Sequence, residues 1–333
     1  MNVISEATIT SNNASSSEII VHSEAEGIAW CTAFILTTLL VVAGNLLTIV
    51  LFTTSKTLRR KSLFLVINMA FADLMLGTLS MPGYILYIGE FNFQLWTGRM
   101  SSFLDYAHDL VDMSFMRASL ISVAMISGER FYAIASPHSY KRSLSMKTYC
   151  AIISLSWIFT ILQTAFEMTL GHLTSPKYQS YAWMSFGLLI TFVICGCNIR
   201  IWRKFQNAEL TSQAQNRAAR SRRLTKTLLF VSLLALFSWL PLITMDALQD
   251  IFGVSIPAGN FYFSVNLLNY SNSFLNPVVY ALRIPEFRRS LVICCFKGKL
   301  AGNVKHTTRR RRHNTSSAKD TQLRTLRISH GHQ

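Results

Sequence analysis

Seven stretches of this chain run for about 20 residues or more with almost no charge, the length an apolar helix needs to cross roughly 30 Å of hydrocarbon. Gly27–Ser55, Tyr178–Ile199, Thr227–Met245 and Ile251–Leu282 carry none. Ser62–Gly89 carries only Asp73, Thr148–Pro176 only Glu167, and Met100–Gly128 four charged residues. Inside lipid every backbone N–H and C=O must pair within its own segment, so spans of this length are helices; barrel strands would be half as long and alternate in polarity. Composition agrees, since 14% of the 333 residues are charged, against about a quarter in a soluble domain. The expected fold is an all-α membrane protein, a seven-transmembrane helix bundle with a short amphipathic eighth helix.

The net charge of +16 invites a nucleic-acid reading, but its distribution points to a membrane. Of the 32 Lys and Arg residues, 29 fall after the first, third, fifth and seventh spans, the exceptions being Arg99, Arg117 and Lys177. By the positive-inside rule those loops are cytoplasmic and the N-terminus is outside. The expected organisation is an extracellular tail over 1–27, a seven-helix bundle with the eighth helix over 28–297 and a disordered basic cytoplasmic tail over 298–333. No signal peptide is expected, because the N-terminal 27 residues are polar and acidic; the first span then does the targeting.

Asn13, in "NAS", is the one glycosylation acceptor expected outside the membrane. None of the six cysteines falls in an expected extracellular loop, so no disulfide framework is expected there. Cys294 and Cys295 close the amphipathic "PEFRRSLVICCF", a setting for palmitoylation beside the bilayer. "RRRRHNTSS" at 309–317 suits contact with membrane lipid or a kinase.

A charge within a span costs free energy and marks a function or a pairing. Asp73 stands mid-span, with Ser119, Asn272, Ser273 and Asn276 at similar depth. These could hold a sodium ion against the carboxylate, or form a hydrogen-bonded knot without one. Asp105, Asp109 and Asp112 are spaced i, i+4, i+7 and share one helix face. Arg117 lies deep enough to need a partner, with Asp112, Glu167 and Asp246 as the choices unless it receives an acidic ligand. Pro241 and Pro277 interrupt apolar spans, and neighbouring polar groups must satisfy the carbonyls they free.

In order, the chain carries "GN" at Gly44–Asn45, "NMAFADL" with Asp73, Trp96, "ERFYAIASPHSY" from Glu129, Trp157, "SWLP" with Trp239 and Pro241, "NPVVY" with Tyr280, and Phe287 seven residues later. From Gly27 to Phe296 it resembles a rhodopsin-like (class A) G-protein-coupled receptor, nearest to the melanocortin and adenosine receptors. The resemblance implies no enzyme activity, an extracellular ligand, a heterotrimeric G protein and, through the tail, receptor kinase and arrestin. It implies a switch at Glu129, Arg130, Ile134, Pro137, Asn198, Pro277 and Tyr280, in which outward movement of the sixth span frees Arg130 for the G protein. It also implies a ligand site at Asp105, Asp109, Asp112, Met116, Trp239, Asp246, Asn266 and Tyr270. Asp112 matches the position where amine receptors hold an ammonium, so a cationic peptide or amine is the expected ligand; a nucleoside or other neutral ligand is the alternative.

Departures from the family pattern are specific. Asp105 replaces the usual cysteine at the outer end of the third span, and "GHLTSPKYQSYAW" offers no partner cysteine. Ile190 stands for the proline of the fifth span, Asn198 for a tyrosine and Ala235 for an aromatic. Tyr270 occupies the retinal-lysine position, so the chain is not an opsin. A seven-span transporter or channel is the alternative from another class, but neither inverted repeats nor paired broken helices are visible. HExxH, phosphate-loop and Gly-x-Ser-x-Gly motifs are absent.

Overall fold

A computed structural model describes residues 23–55, 58, 63–97, 101–143, 145–206, 215–256 and 259–294. The seven spans are helices: the first Glu24–Thr54, the second Phe64–Asn92, the third Ser102–Ala135, the fourth Met146–Leu173, the fifth Pro176–Gln206, the sixth Gln215–Asp250 and the seventh Asn260–Arg283. A short helix, Pro137–Ser143, links the third and fourth spans, and residues 285–294 form the eighth helix. Asn13, Cys295 and the tail 298–333 lie outside the described residues.

Polarity sorts the surfaces as lipid demands. Leu155, Leu162, Phe192 and Phe237 are all more than 60% exposed on the outer faces, an apolar surface that in water would drive association. The interior instead collects Asn45, Asn68, Asp73, Ser119, Asn272, Ser273 and Asn276, each at most 8% exposed. Among the described residues, six helices are apolar enough to cross a membrane by composition alone. The seventh falls short because Asn266, Asn269, Asn272, Ser273 and Asn276 crowd its inward face.

Two expected boundaries shift. The seventh charge-free stretch begins at Ile251, yet residues 251–256 are non-helical and the helix starts at Asn260. Gly253 at φ +66° and the extended Gly259 cap explain the break. The second span is not one regular helix: π-helical turns occupy Leu76–Ser80 and Ile88–Asn92. The Met81 N–H reaches five residues back to the Leu76 carbonyl. One extra residue in a turn rotates everything beyond it by about 100°, and this turn ends on Ser80, which faces the third span.

The third span is the axis of the bundle, packed against the second, fourth, fifth and sixth, while the seventh closes against the first and sixth. Asn68 of the second span ties three helices together. Its Nδ2 donates to Ser122 Oγ (2.9 Å) and its Oδ1 accepts from Trp157 Nε1 (2.9 Å). No disulfide occurs among the described residues, and the end where the first helix begins is held by rings and indole hydrogen bonds. Phe263 stacks on Trp30 and Phe93 at 5.6 and 5.0 Å, and Trp30 Nε1 donates to Asn260 Oδ1 at 2.9 Å. The Trp96 indole covers Gly89, where an added Cβ would lie 1.9 Å from the ring, and donates to the Leu86 carbonyl at 3.1 Å.

The "GN" pair and the "NP" pair explain each other. Pro277 has no N–H, so the Ser273 carbonyl one turn earlier loses its helical donor. Asn45 Nδ2 donates to that carbonyl at 3.0 Å, and also to its own Val41 carbonyl at 3.0 Å. Gly44 makes room, since a Cβ there would sit 3.0 Å from Pro277 Cγ. Asn45→Ala should therefore leave a buried carbonyl unpaired and lower stability by about 1–3 kcal/mol, seen as a lower unfolding temperature of the detergent-solubilised protein. An unchanged temperature would show that the contact contributes nothing.

Candidate functional site

Three polar constellations lie along the third span. The first faces a cavity of about 550 Å³ between the spans at the end where the N-terminal helix begins, a volume suited to a small ligand. Asp112, about three turns inside the helix start, is its deepest acid. Asp112 Oδ1 accepts hydrogen bonds from Ser80 Oγ and from Tyr270 Oη, the latter at 3.0 Å. The π-turn at Leu76–Ser80 thus supplies one of its two donors. His108 sits above, donating from Nε2 to the Ser80 carbonyl at 3.0 Å and lying 3.6 Å from the Asp109 carboxylate. Gly83 permits this, because a Cβ there would meet the His108 ring at 2.2 Å.

Asp105, Asp109, Asp112, Met116, Asp246, Asn266 and Tyr270 all line the cavity. Trp239 does not; it is buried one layer deeper and packs on Trp183 at 5.5 Å between ring centroids. Trp183 is a lining residue whose role sequence left open: its Nε1 donates to Asp246 Oδ2 at 3.1 Å. Tyr84, Tyr87, Tyr262 and Asp250 join the lining as well, residues whose inward orientation no linear spacing announced.

Arg117 chooses Glu167. Its Nη2 pairs with Glu167 Oε2, Nη1 donates to Thr164 Oγ1 at 2.7 Å, and the guanidinium carbon lies 5.3 Å from the Trp183 ring centroid. Gln163 Nε2 donates to the other Glu167 oxygen at 2.8 Å. Both charged side chains are fully buried and neither lines the cavity, so the arginine neither neutralises Asp112 by contact nor stands ready for an acidic ligand.

The second constellation surrounds Asp73. Its Oδ1 accepts from Ser119 Oγ (2.7 Å) and Ser273 Oγ (2.9 Å), and its Oδ2 from Asn276 Nδ2 (3.1 Å). Two further oxygens, Asn272 Oδ1 and Asn276 Oδ1, are buried without a hydrogen-bond partner. One carboxylate, two hydroxyls and unpaired amide oxygens are the donor chemistry a hard monovalent cation needs.

The third closes the other end of the third span. Arg130 Nε donates to Glu129 Oε2 at 2.5 Å. Sequence reading missed the other half of this lock: Glu129 Oε1 accepts from Tyr140 Oη at 2.5 Å and Tyr149 Oη at 2.9 Å. Burial pushes the Tyr140 phenol up from its ordinary value, with the adjacent carboxylate adding to it, so it remains a donor. Arg130 Nη2, both side-chain polar atoms of Asn198 and Tyr280 Oη are buried without partners. Pro277 is buried behind them in the seventh span, while Ile134 is half-buried and Pro137 exposed at the surface of this end. The sixth span is held in by Ser127–Ser232 at 2.9 Å and by Arg283 stacked 4.3 Å from the Phe230 ring centroid. Cys294 is exposed on the eighth helix.

Residues 44–280 match the family described as 7 transmembrane receptor (rhodopsin family). The chain belongs to that family of receptors. It is 28% identical over 292 residues to trace amine-associated receptor 9 of Mus musculus, covering 76% of this chain and 80% of that receptor. It is 28% identical over 308 residues to trace amine-associated receptor 7h of Rattus norvegicus, 81% of this chain and 82% of that one. It is 23% identical over 292 residues to adenosine receptor A3 of Canis lupus familiaris, 80% of this chain and 90% of the relative.

Removing one member of a buried ion pair strands the other charge, at a cost of about 3–5 kcal/mol, whereas replacing both by apolar residues is often neutral. Glu167→Leu alone should sharply reduce the amount of folded receptor at the cell surface, and the double replacement Arg117→Met with Glu167→Leu should restore it. Equal surface levels for the single variant and the wild type would count against the pairing.

Proposed function

We propose that this chain is a plasma-membrane receptor, N-terminus outside, that binds a cationic ligand, an amine or the cationic group of a peptide, and activates a heterotrimeric G protein. The observation that carries this reading is the Asp112 carboxylate on the cavity wall, oriented by Ser80 and Tyr270. Two hydroxyl donors fix the carboxylate, and the tyrosine rings around it offer faces to an ammonium. The names of the rodent relatives, trace amine-associated receptors, favour the same ligand class. A neutral nucleoside, suggested by the adenosine receptor relative, would leave the acidic lining without a counter-charge.

Binding at Asp112 is about 27 Å from Arg130 along the third span at 1.5 Å per residue, so the signal must pass through the bundle. In the geometry described, Glu129 is occupied by Arg130, Tyr140 and Tyr149 and the sixth span is closed, which is a resting arrangement. Outward movement of the sixth span, bending at Pro241, would break the Ser127–Ser232 contact and free Arg130 for the G protein, with Ile134 and Pro137 beside it. A ligand drives this only by binding the open state better than the closed one. Asn198 takes a place that would let it meet Arg130 or Tyr280 after such a movement. The basic tail is the proposed contact for receptor kinase, arrestin and lipid, with Asn13 glycosylated and Cys294 and Cys295 palmitoylated.

The same resting arrangement has a place for sodium. Asp73, Ser119 and Ser273, with the unpaired oxygens of Asn272 and Asn276, would hold the ion, and its charge would steady the closed packing of the second, third and seventh spans.

Asp112→Asn should weaken amine potency by tenfold or more, about the effect of losing one well-made ion pair, without altering nucleotide exchange at saturating amine. Arg130→Ala should do the reverse, leaving amine affinity within about threefold while abolishing exchange on purified G protein. Both variants behaving alike in both assays would sink the division of labour. Sodium should lower amine affinity in wild-type membranes, and Asp73→Asn should remove that effect; equal sodium sensitivity in the variant would leave Asp73 a hydrogen-bonded knot only.

A further inference from the structure

The cavity is more acidic than a single ammonium requires. Its lining carries carboxylates on two separate helices: Asp105, Asp109 and Asp112 on the third span, and Asp246 and Asp250 on the sixth. Among the described residues that line it there is no lysine or arginine, and His108 is the one basic side chain. Arg117, a strong cation behind the wall, is spent on Glu167 and Thr164. Trp183 of the fifth span stands between the two acidic walls, with Arg117 over its ring and its N–H on Asp246. Asp112 and Asp246 are therefore two distinct anchoring points, each half-buried and each oriented by its own neutral donors.

A second feature also points to a ligand. The Tyr84 hydroxyl is buried at the cavity wall, beside the Tyr262 hydroxyl but in no well-formed hydrogen bond, on a residue only 9% exposed. A buried hydroxyl left unpaired is costly, and a polar group in the cavity is what would satisfy it. A monoamine seated at Asp112 would leave the carboxylate of Asp246 facing that cavity without a counter-charge, which is unfavourable in a partly desolvated site.

Resting on the amine reading above, we infer that the site is built for a ligand with two positive charges, one ammonium on Asp112 and a second on Asp246, with an uncharged spacer between them lying across the tyrosine and tryptophan rings. Asp105, Asp109 and Asp250, nearer the opening, raise the local cation concentration and speed association rather than anchor the ligand. A diamine with a flexible methylene spacer, or a peptide carrying two basic groups at matching separation, belongs to this class.

The test uses the full-length receptor in cell membranes, with surface level measured in parallel, and compares linear α,ω-diamines of four to eight carbons with 1-aminoalkanes of equal length in a nucleotide-exchange assay. The best diamine should exceed its monoamine counterpart by about ten- to a hundredfold, the range set by one added ion pair in a partly desolvated site. Asp246→Asn, which keeps an acceptor for the Trp183 N–H, should remove that advantage by lowering diamine potency about tenfold or more beyond any change in monoamine potency. Asp246→Glu, one methylene longer, should move the best spacer to a shorter diamine and covers the case in which the Asn variant fails to reach the surface. Monoamines as potent as diamines, or an Asp246→Asn loss equal in both series, would overturn the two-charge inference and leave the amine reading standing. Activation by neither series, with activation by a neutral or anionic compound instead, would overturn both.

Discussion

Hydrocarbon offers no hydrogen bonds, and that one property shapes every polar contact in this protein. Helices satisfy the backbone, so the remaining polar groups must turn inward and find one another. Where a proline breaks the ladder, a side chain from the next helix mends it, as Asn45 does for the Ser273 carbonyl freed by Pro277. Where a charge enters a span, it is paired or fenced by donors, as with Arg117 on Glu167 and the three donors around Asp73. The interior is thus a column of polar clusters strung along the third span, and each cluster ties that helix to its neighbours.

Such a column suits a receptor because its two ends differ in kind. The cavity end is open, acidic and aromatic, a surface that waits for a partner from outside the chain. The Glu129 end is closed on itself, its carboxylate filled by one arginine and two tyrosines. Between them stand groups that are buried and unpaired: Asn272 Oδ1, Asn276 Oδ1, Tyr280 Oη, Asn198 and Arg130 Nη2. Unpaired groups in a dry interior are strained in the sense that a second arrangement which pairs them lowers their energy. They belong to the seventh, fifth and third spans, which a swing of the sixth would let repack.

Much of this was legible in the linear sequence. The spans followed from charge-poor length and the Asp73 cluster from polar residues where lipid forbids idle ones; Glu129–Arg130 came from the family resemblance, and Asp112 from that resemblance together with its shared face with Asp105 and Asp109. What stayed hidden was hidden for physical reasons. The choice among three acids for Arg117 depends on how the third and fourth spans rotate about each other, which no periodicity fixes. The π-turn that brings Ser80 to Asp112 adds one residue to a helix without a residue type that demands it. Tyr140 and Tyr149 reach Glu129 from a loop helix and the next span, and Trp183 meets Asp246 across two helices. The seventh span was bounded too early because absence of charge alone does not distinguish a loop from a helix; Gly253 and Gly259 were the overlooked signal.

The central claim is that occupancy of the cavity at Asp112 opens the opposite end of the bundle. The most direct measurement places spin labels at His138 in the short helix after the third span and Lys226 at the near end of the sixth, both exposed, in a background without reactive native cysteines. Distance distributions are then recorded by pulsed electron resonance with and without a saturating activating amine. The account predicts that the amine adds a population at longer separation in the wild type and none in Asp112→Asn. The same distribution with and without amine, in a protein whose nucleotide exchange on G protein responds to it, would contradict the account.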